Sequence, residues 1–108
     1  MGKSMIVEER IYTLQPGRVP EMVRLYGEEG LTMQQQYLGT FLGYFTSESG
    51  DLNQVVFMWG YEGVDDRARR RAEMMRDPKW QEFLAKVLPL IIRQENRFLK
   101  PTSFSPIR

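Results

Sequence analysis

The stretch Gln54-Val-Val-Phe-Met-Trp-Gly-Tyr61 constrains this chain more than any other part of it. Its β-branched and aromatic residues predict a strand. Successive side chains of a strand point to opposite faces. Val55, Phe57, Trp59 and Tyr61 therefore share one face, and Val56 and Met58 share the other. Both faces are apolar, so both need cover; a strand wetted on one side would alternate apolar with polar residues. The chain must supply cover on one side, and something else must supply it on the other.

The remaining elements fall on either side of this strand. Met5 to Leu14 reads as a first strand, closed by the turn Gln15-Pro16-Gly17. Val19, Met22, Val23, Tyr26, Met33 and Tyr37 then recur at helical spacing, with Pro20 suited to a first turn and Leu38-Gly39 ending the run. Gly27 and Gly30 each weaken that helix by about 1 kcal/mol relative to alanine. Phe41 to Ser47 predicts the second strand, joined to Gln54–Tyr61 by the loop residues Glu48 to Asn53. Asp65-Asp66 has N-cap chemistry for a helix reaching about Met75, and Asp77-Pro78 opens another carrying Trp80, Phe83, Leu84, Val87 and Leu88. Trp80 and Phe83 fall on its buried stripe. Leu90 to Leu99 is the last predicted strand.

The order β-α-β-β-α-β predicts an α+β, ferredoxin-like sandwich: an antiparallel sheet with helices on one face and the first and third strands central. The second cover for Gln54–Tyr61 is then another sheet from a second copy, which makes a homodimer. With 108 residues the chain is expected to form one domain, with a core over about 5–100 and an extended tail over 101–108.

There is no cysteine and no histidine, which excludes thiolate nucleophiles, disulfides, imidazole bases and histidine-ligated metal or haem. No carboxylate cluster has metal-site spacing, so neither a metal nor a cofactor is expected. Gly2-Lys3-Ser4 resembles the end of a phosphate loop but lacks the preceding strand and glycine. Arg67, Arg69, Arg70, Arg71 and Arg76 are the densest basic group. Asp65, Asp66, Glu73 and Asp77 are interspersed with them, the net charge is +1 and the pI about 8.0. An ion-paired, solvated helix face is expected, not a nucleic-acid surface. Arg67 and Arg71, at i and i+4, flank an Ala68/Ala72/Met75 stripe and are the two placed to turn toward the body. No apolar run approaches a membrane span and no leader pattern opens the chain, so cytoplasmic residence without membrane insertion is expected.

Glu8, Arg10 and Tyr12 share one face of the first strand. A guanidinium in a central strand needs a carboxylate or several acceptors. It serves either in a structural ion pair or in a pocket where Arg10 holds an anionic or carbonyl oxygen and Tyr12 donates a hydrogen bond. Trp59 and Tyr61 could supply the aromatic wall, or simply core packing. Gln94 and Asn96, together on the last strand, could add neutral donors.

Arg10-Ile-Tyr12-Thr-Leu-Gln-Pro16-Gly17, Leu38-Gly39 with Gly43-Tyr44-Phe45, and Glu48-Ser-Gly50-Asp-Leu-Asn53 together resemble the NIPSNAP family. So do Trp59-Gly-Tyr61 with Arg67, Asp77-Pro78-Lys-Trp80, and Gln94-Glu95-Asn96 through Pro101. The resemblance runs in order over roughly residues 6–106. It implies a dimeric α/β barrel, a fold that hosts haem enzymes, cofactor-free monooxygenases and isomerases. Phe57-Met58 stands where many relatives place a histidine, so histidine-ligated haem is excluded.

The function expected is binding of a small aromatic or carbonyl metabolite in a cleft, with cofactor-free catalysis as its extension and no catalytic residue assigned. The ligand-binding candidates are Arg10, Tyr12, Trp59, Tyr61, Arg67, Gln94 and Asn96. The alternative is a non-catalytic interaction module. An enclosed cleft of at least ~300 Å³ with convergent polar atoms would favour the first, and a cleft filled by its own side chains the second.

Overall fold

Four strands and four α-helices are described by the computed structural model, which covers residues 5–108; the Gly2-Lys3-Ser4 tripeptide lies outside the described residues. The elements are β1 (Ile6–Leu14), α1 (Val19–Leu25), α2 (Leu31–Tyr37), β2 (Thr40–Thr46), β3 (Gln54–Tyr61), α3 (Val64–Met75), α4 (Pro78–Val87) and β4 (Ile91–Leu99). The sheet is antiparallel throughout, in the order β2-β3-β1-β4. β1 and β3 are central, as the ferredoxin-like order requires.

The two-faced strand sits as its sequence demands on one side. Val55, Phe57, Trp59 and Tyr61 are 0–3% exposed beneath the helices. Val56 and Met58, on the opposite face, are only half-buried.

α1 and α2 are joined through a π-helical turn, Tyr26–Gly30, in which the Leu31 amide donates to the Tyr26 carbonyl. One helical stripe was expected from Val19 to Tyr37, but the wide turn re-phases the second half. Tyr26, Gly30, Gln34 and Leu38 are buried, whereas Val23 is exposed and Met33 and Tyr37 are half-buried. Gly30 permits the close packing here: a Cβ on it would stand 2.6 Å from the Phe83 ring.

Two expectations for α3 are corrected. Its N-cap is the extended Gly63, and Asp65 and Asp66 fall in the first turn. Asp66 instead accepts the Glu62 backbone amide at 3.1 Å. Ala68, Ala72 and Met75 are exposed, while Asp66 and Met74 are buried and Arg67, Arg70 and Arg71 half-buried. The helix rotates its arginines inward because the strand beneath offers a buried carboxylate to pair with them. α4 follows the sequence closely. Asp77 caps it by accepting the Lys79 amide at 2.9 Å, Pro78 occupies the first turn, and Trp80, Phe83 and Val87 are buried.

Candidate ligand cleft

β1 points Glu8, Arg10 and Tyr12 at the helices. Across the sheet they face Trp59, Phe57 and Val55 of β3 on one side, and Phe98, Asn96 and Gln94 of β4 on the other. β4 is an edge strand whose residues from Ile92 onward are all exposed, so the polar row lies near one margin of the helix layer.

Glu8 is the anchor of this row. It is 1% exposed, and its Oε2 accepts from Arg67 Nη2 at 2.7 Å, Asn96 Nδ2 at 2.8 Å and Arg10 Nη1 at 3.1 Å. Burial by itself would raise its pKa, but the bonds from Arg67 and Asn96 and the charge of Arg10 outweigh it. The carboxyl is held below 4.5. Its Oε1 has no hydrogen-bond partner among the described residues.

Arg10 turns the rest of its fork toward Tyr12. Nη2 and Nε donate to the Tyr12 hydroxyl at 2.9 and 3.3 Å, and Nη2 reaches Gln94 Oε1 at 3.5 Å. Burial opposes its charge, but Tyr12 and Glu8 more than offset that and its pKa is raised. Of the five guanidinium hydrogens, one on Nη1 remains without an acceptor among the described residues. Tyr12 accepts two bonds and keeps its own O–H free to donate.

These groups border a cleft of about 210 Å³ between the sheet and the helices. Its polar lining is Arg10, Tyr12, Gln34, Arg71 and Gln94; its walls are Tyr26, Tyr44 and Phe57 on one side and Trp80, Phe83 and Leu84 on the other. Tyr44 stacks on both Tyr26 and Phe57, at 4.3 and 5.1 Å between ring centroids, and those two are 6.1 Å apart, so the three rings form a mutually packed aromatic cluster. The volume is below the ~300–1,000 Å³ typical of drug-sized ligands, but polar groups converge on it and the cleft is not filled.

The structure brings Arg10, Tyr12 and Gln94 to this cleft. Arg67 and Asn96 stand behind them, holding Glu8. Trp59 and Tyr61 are placed elsewhere, because the Glu8–Arg67 bridge ties α3 to the sheet at their level. Trp59 is 1% exposed and packs on Phe41 at 5.0 Å. Tyr61 borders a separate opening beside Gly39 and Asp66, and burial pushes its phenol up to about 12. The aromatic wall is instead Tyr26, Tyr44 and Phe57. Sequence reasoning passed over Gln34, which the π-turn carries inward to accept the Tyr26 hydroxyl, and did not count Arg71 among the candidates. The i, i+4 relation of Arg71 to Arg67 was the signal for it.

Among the described residues no group of three or more acidic side chains is arranged to hold a metal ion, and no helix is long and apolar enough to cross a membrane.

The sheet order and helix layer define an α+β, ferredoxin-like protein. A putative antibiotic biosynthesis monooxygenase from Nitrosomonas europaea shares this fold, with a TM-score of 0.68 at 6% identity over 97% of each chain. Within that class, the chain belongs to the NIPSNAP family, whose model matches residues 7–106. A NIPSNAP-family protein of unknown function from Agrobacterium tumefaciens superposes with a TM-score of 0.96 at 41% identity, covering 100% of this chain and 97% of that one. Protein NipSnap of Drosophila melanogaster is 35% identical over 105 residues, which are 97% of this chain but 37% of the fly protein. The chain thus spans about a third of the length of the curated relatives it matches.

Proposed function

We propose that this NIPSNAP-family chain binds a small aromatic or carbonyl metabolite in the cleft beside Arg10. The supporting observation is that Arg10, with one N–H on Nη1 to spare, and Tyr12, whose O–H is free to donate, both line an aromatic-walled space. The rings hold a flat ligand body, and these polar groups are available to oxygens on it. Cofactor-free turnover extends this binding role. Tyr12 is then the group that passes a proton, while Arg10 steadies the developing charge. Native mass spectrometry of protein purified from its own host tests the proposal. A retained small molecule supports it; ligand-free protein, together with an Arg10→Lys variant that behaves as the parent toward every aromatic carbonyl compound tried, would favour a pure interaction module.

The same proposal takes the protein to be a cytoplasmic, single-domain homodimer. For the dimer the support is the sheet face away from the helices, where Phe45, Val56 and Ile11 align across β2, β3 and β1. Phe45 is 51% exposed there. A second copy covering this face should bury more than ~1,200 Å² in total. Light scattering at micromolar concentration is expected to give twice the chain mass, and a monomer would remove the barrel.

A further inference from the structure

From the lining of the same cleft, and resting on the binding role just proposed, we infer that its ligand is an anion: a single-ring aromatic monocarboxylate whose carboxylate sits between Arg71 and Arg10.

Arg71 carries the inference. It is half-buried on the inward side of α3 and lines the cleft, yet it makes no hydrogen bond or ion pair with any described residue. The other arginines turned inward from α3 are all engaged: Arg67 on Glu8, and Arg70 on Asp66. Its guanidinium nitrogens are not shut away in packed protein, so their donors are open to whatever occupies the cleft, water or ligand. Its neighbourhood is short of negative charge. Burial lowers the pKa of Arg71, the charges of Arg10 and Arg67 lower it further, and Glu8 offsets them only in part. Three guanidinium groups thus share one carboxylate, and that carboxylate is already committed to Arg10, Arg67 and Asn96. No acidic side chain lines the cleft itself.

The shape of the lining narrows the class of anion. Arg71 offers a whole planar fork, which matches a carboxylate edge-on, and Arg10 adds one N–H. A phosphate dianion would need more donors than these to satisfy its oxygens. The aromatic lining of Tyr26, Tyr44, Phe57, Trp80 and Phe83 suits one flat ring, and about 210 Å³ leaves little room for more. Tyr12 and Gln34 stand ready for a polar substituent on that ring.

The test compares benzoate with its neutral isostere benzamide, and with phenyl phosphate, by isothermal titration calorimetry on the full chain. Benzoate is expected to bind at least about tenfold more tightly than either. In Arg71→Gln the preference over benzamide should collapse to about twofold while benzamide affinity holds, and Arg71→Lys should fall between. Because Arg71 has no partner to lose, the ligand-free melting temperature of Arg71→Gln should equal or exceed that of the parent. Equal binding of benzoate and benzamide by the parent, or tighter binding of phenyl phosphate, would overturn the assignment while leaving a binding cleft. A lowered ligand-free melt with the benzoate preference intact would make Arg71 structural and overturn it too. Failure of all three probes to bind would remove the cleft as a binding site, and this inference with it.

Discussion

Two carboxylates on this fold are each held by two arginines, and they do different work. Asp66, in the first turn of α3, accepts from Arg69 at 2.6 Å, Arg70 at 2.9 Å and the Glu62 amide at 3.1 Å. Its arginines are the more exposed pair, Arg69 at 65% and Arg70 at 37%, so water screens more of their charge. Glu8, in the middle of β1, has Arg10 and Arg67 at 12% and 19% exposure, with Arg71 adding a third cation nearby. Water does little screening there. The first cluster is complete as it stands and fastens the start of α3. The second retains positive charge facing a cleft, which is the difference between a closed structural clamp and one with charge to spare.

The sharpest way to break this contrast is to remove Glu8. Glu8→Gln leaves Arg10, Arg67 and Arg71 repelling one another without a counter-charge, and should cost about 3–5 kcal/mol in urea unfolding. Its pH dependence has a definite sign. A carboxyl whose folded pKa lies below its unfolded value contributes fully above that value, near ~4.3, and the contribution is lost as pH falls through the folded pKa. Glu8 and Asp66 are both lowered in this way. The parent should therefore lose stability on acidification below about pH 4, and Glu8→Gln should remove its own share of that limb while Asp66 and Asp77, lowered likewise, keep theirs.

Arg10→Ala comes next, at about 2 kcal/mol. From sequence alone, a purely structural Arg10 implies a larger loss, but Glu8 keeps Arg67 and Asn96 when Arg10 is removed. A measured loss above ~4 kcal/mol would return Arg10 to a structural role. Asp66→Asn should cost only about 1 kcal/mol, and Arg69→Ala should fall within ~0.5 kcal/mol of the parent, because solvent already screens that cluster. If Asp66→Asn proved as damaging as Glu8→Gln, the distinction between the two clusters would be lost.

The elements were legible where local chemistry decides them. Asp77-Pro78 opens α4 because a carboxylate cap and a ring-fixed φ act within one turn. Gln54–Tyr61 declares a central strand through its own alternation. The rotation of α3 was legible only in part. The spacing marks Arg67 and Arg71 as able to turn inward, but the exposure of the Ala68, Ala72 and Met75 stripe follows from Glu8, distant in sequence, lying beneath the helix. The shift of burial to Gln34 was hidden, since it depends on a π-turn that lets Gly30 receive the Phe83 ring.

The sequence by itself determined the strand order, the two-sided demand of β3, the absence of imidazole and thiol chemistry, and Arg10 with Tyr12 as a polar pair on one strand face. Those follow from side-chain type and from the periods of helix and strand, which act over a few residues. Only the tertiary structure decided that Glu8 would be the hub of that face, that Trp59 and Tyr61 would leave the cleft wall to Tyr26, Tyr44 and Phe57, and that Arg71 would enter the cleft without a partner. The physical reason is the range of the forces involved. Guanidinium groups from a helix and a carboxylate from a strand settle their charge only when packing removes the water between them, and no local pattern records which of them will be left over.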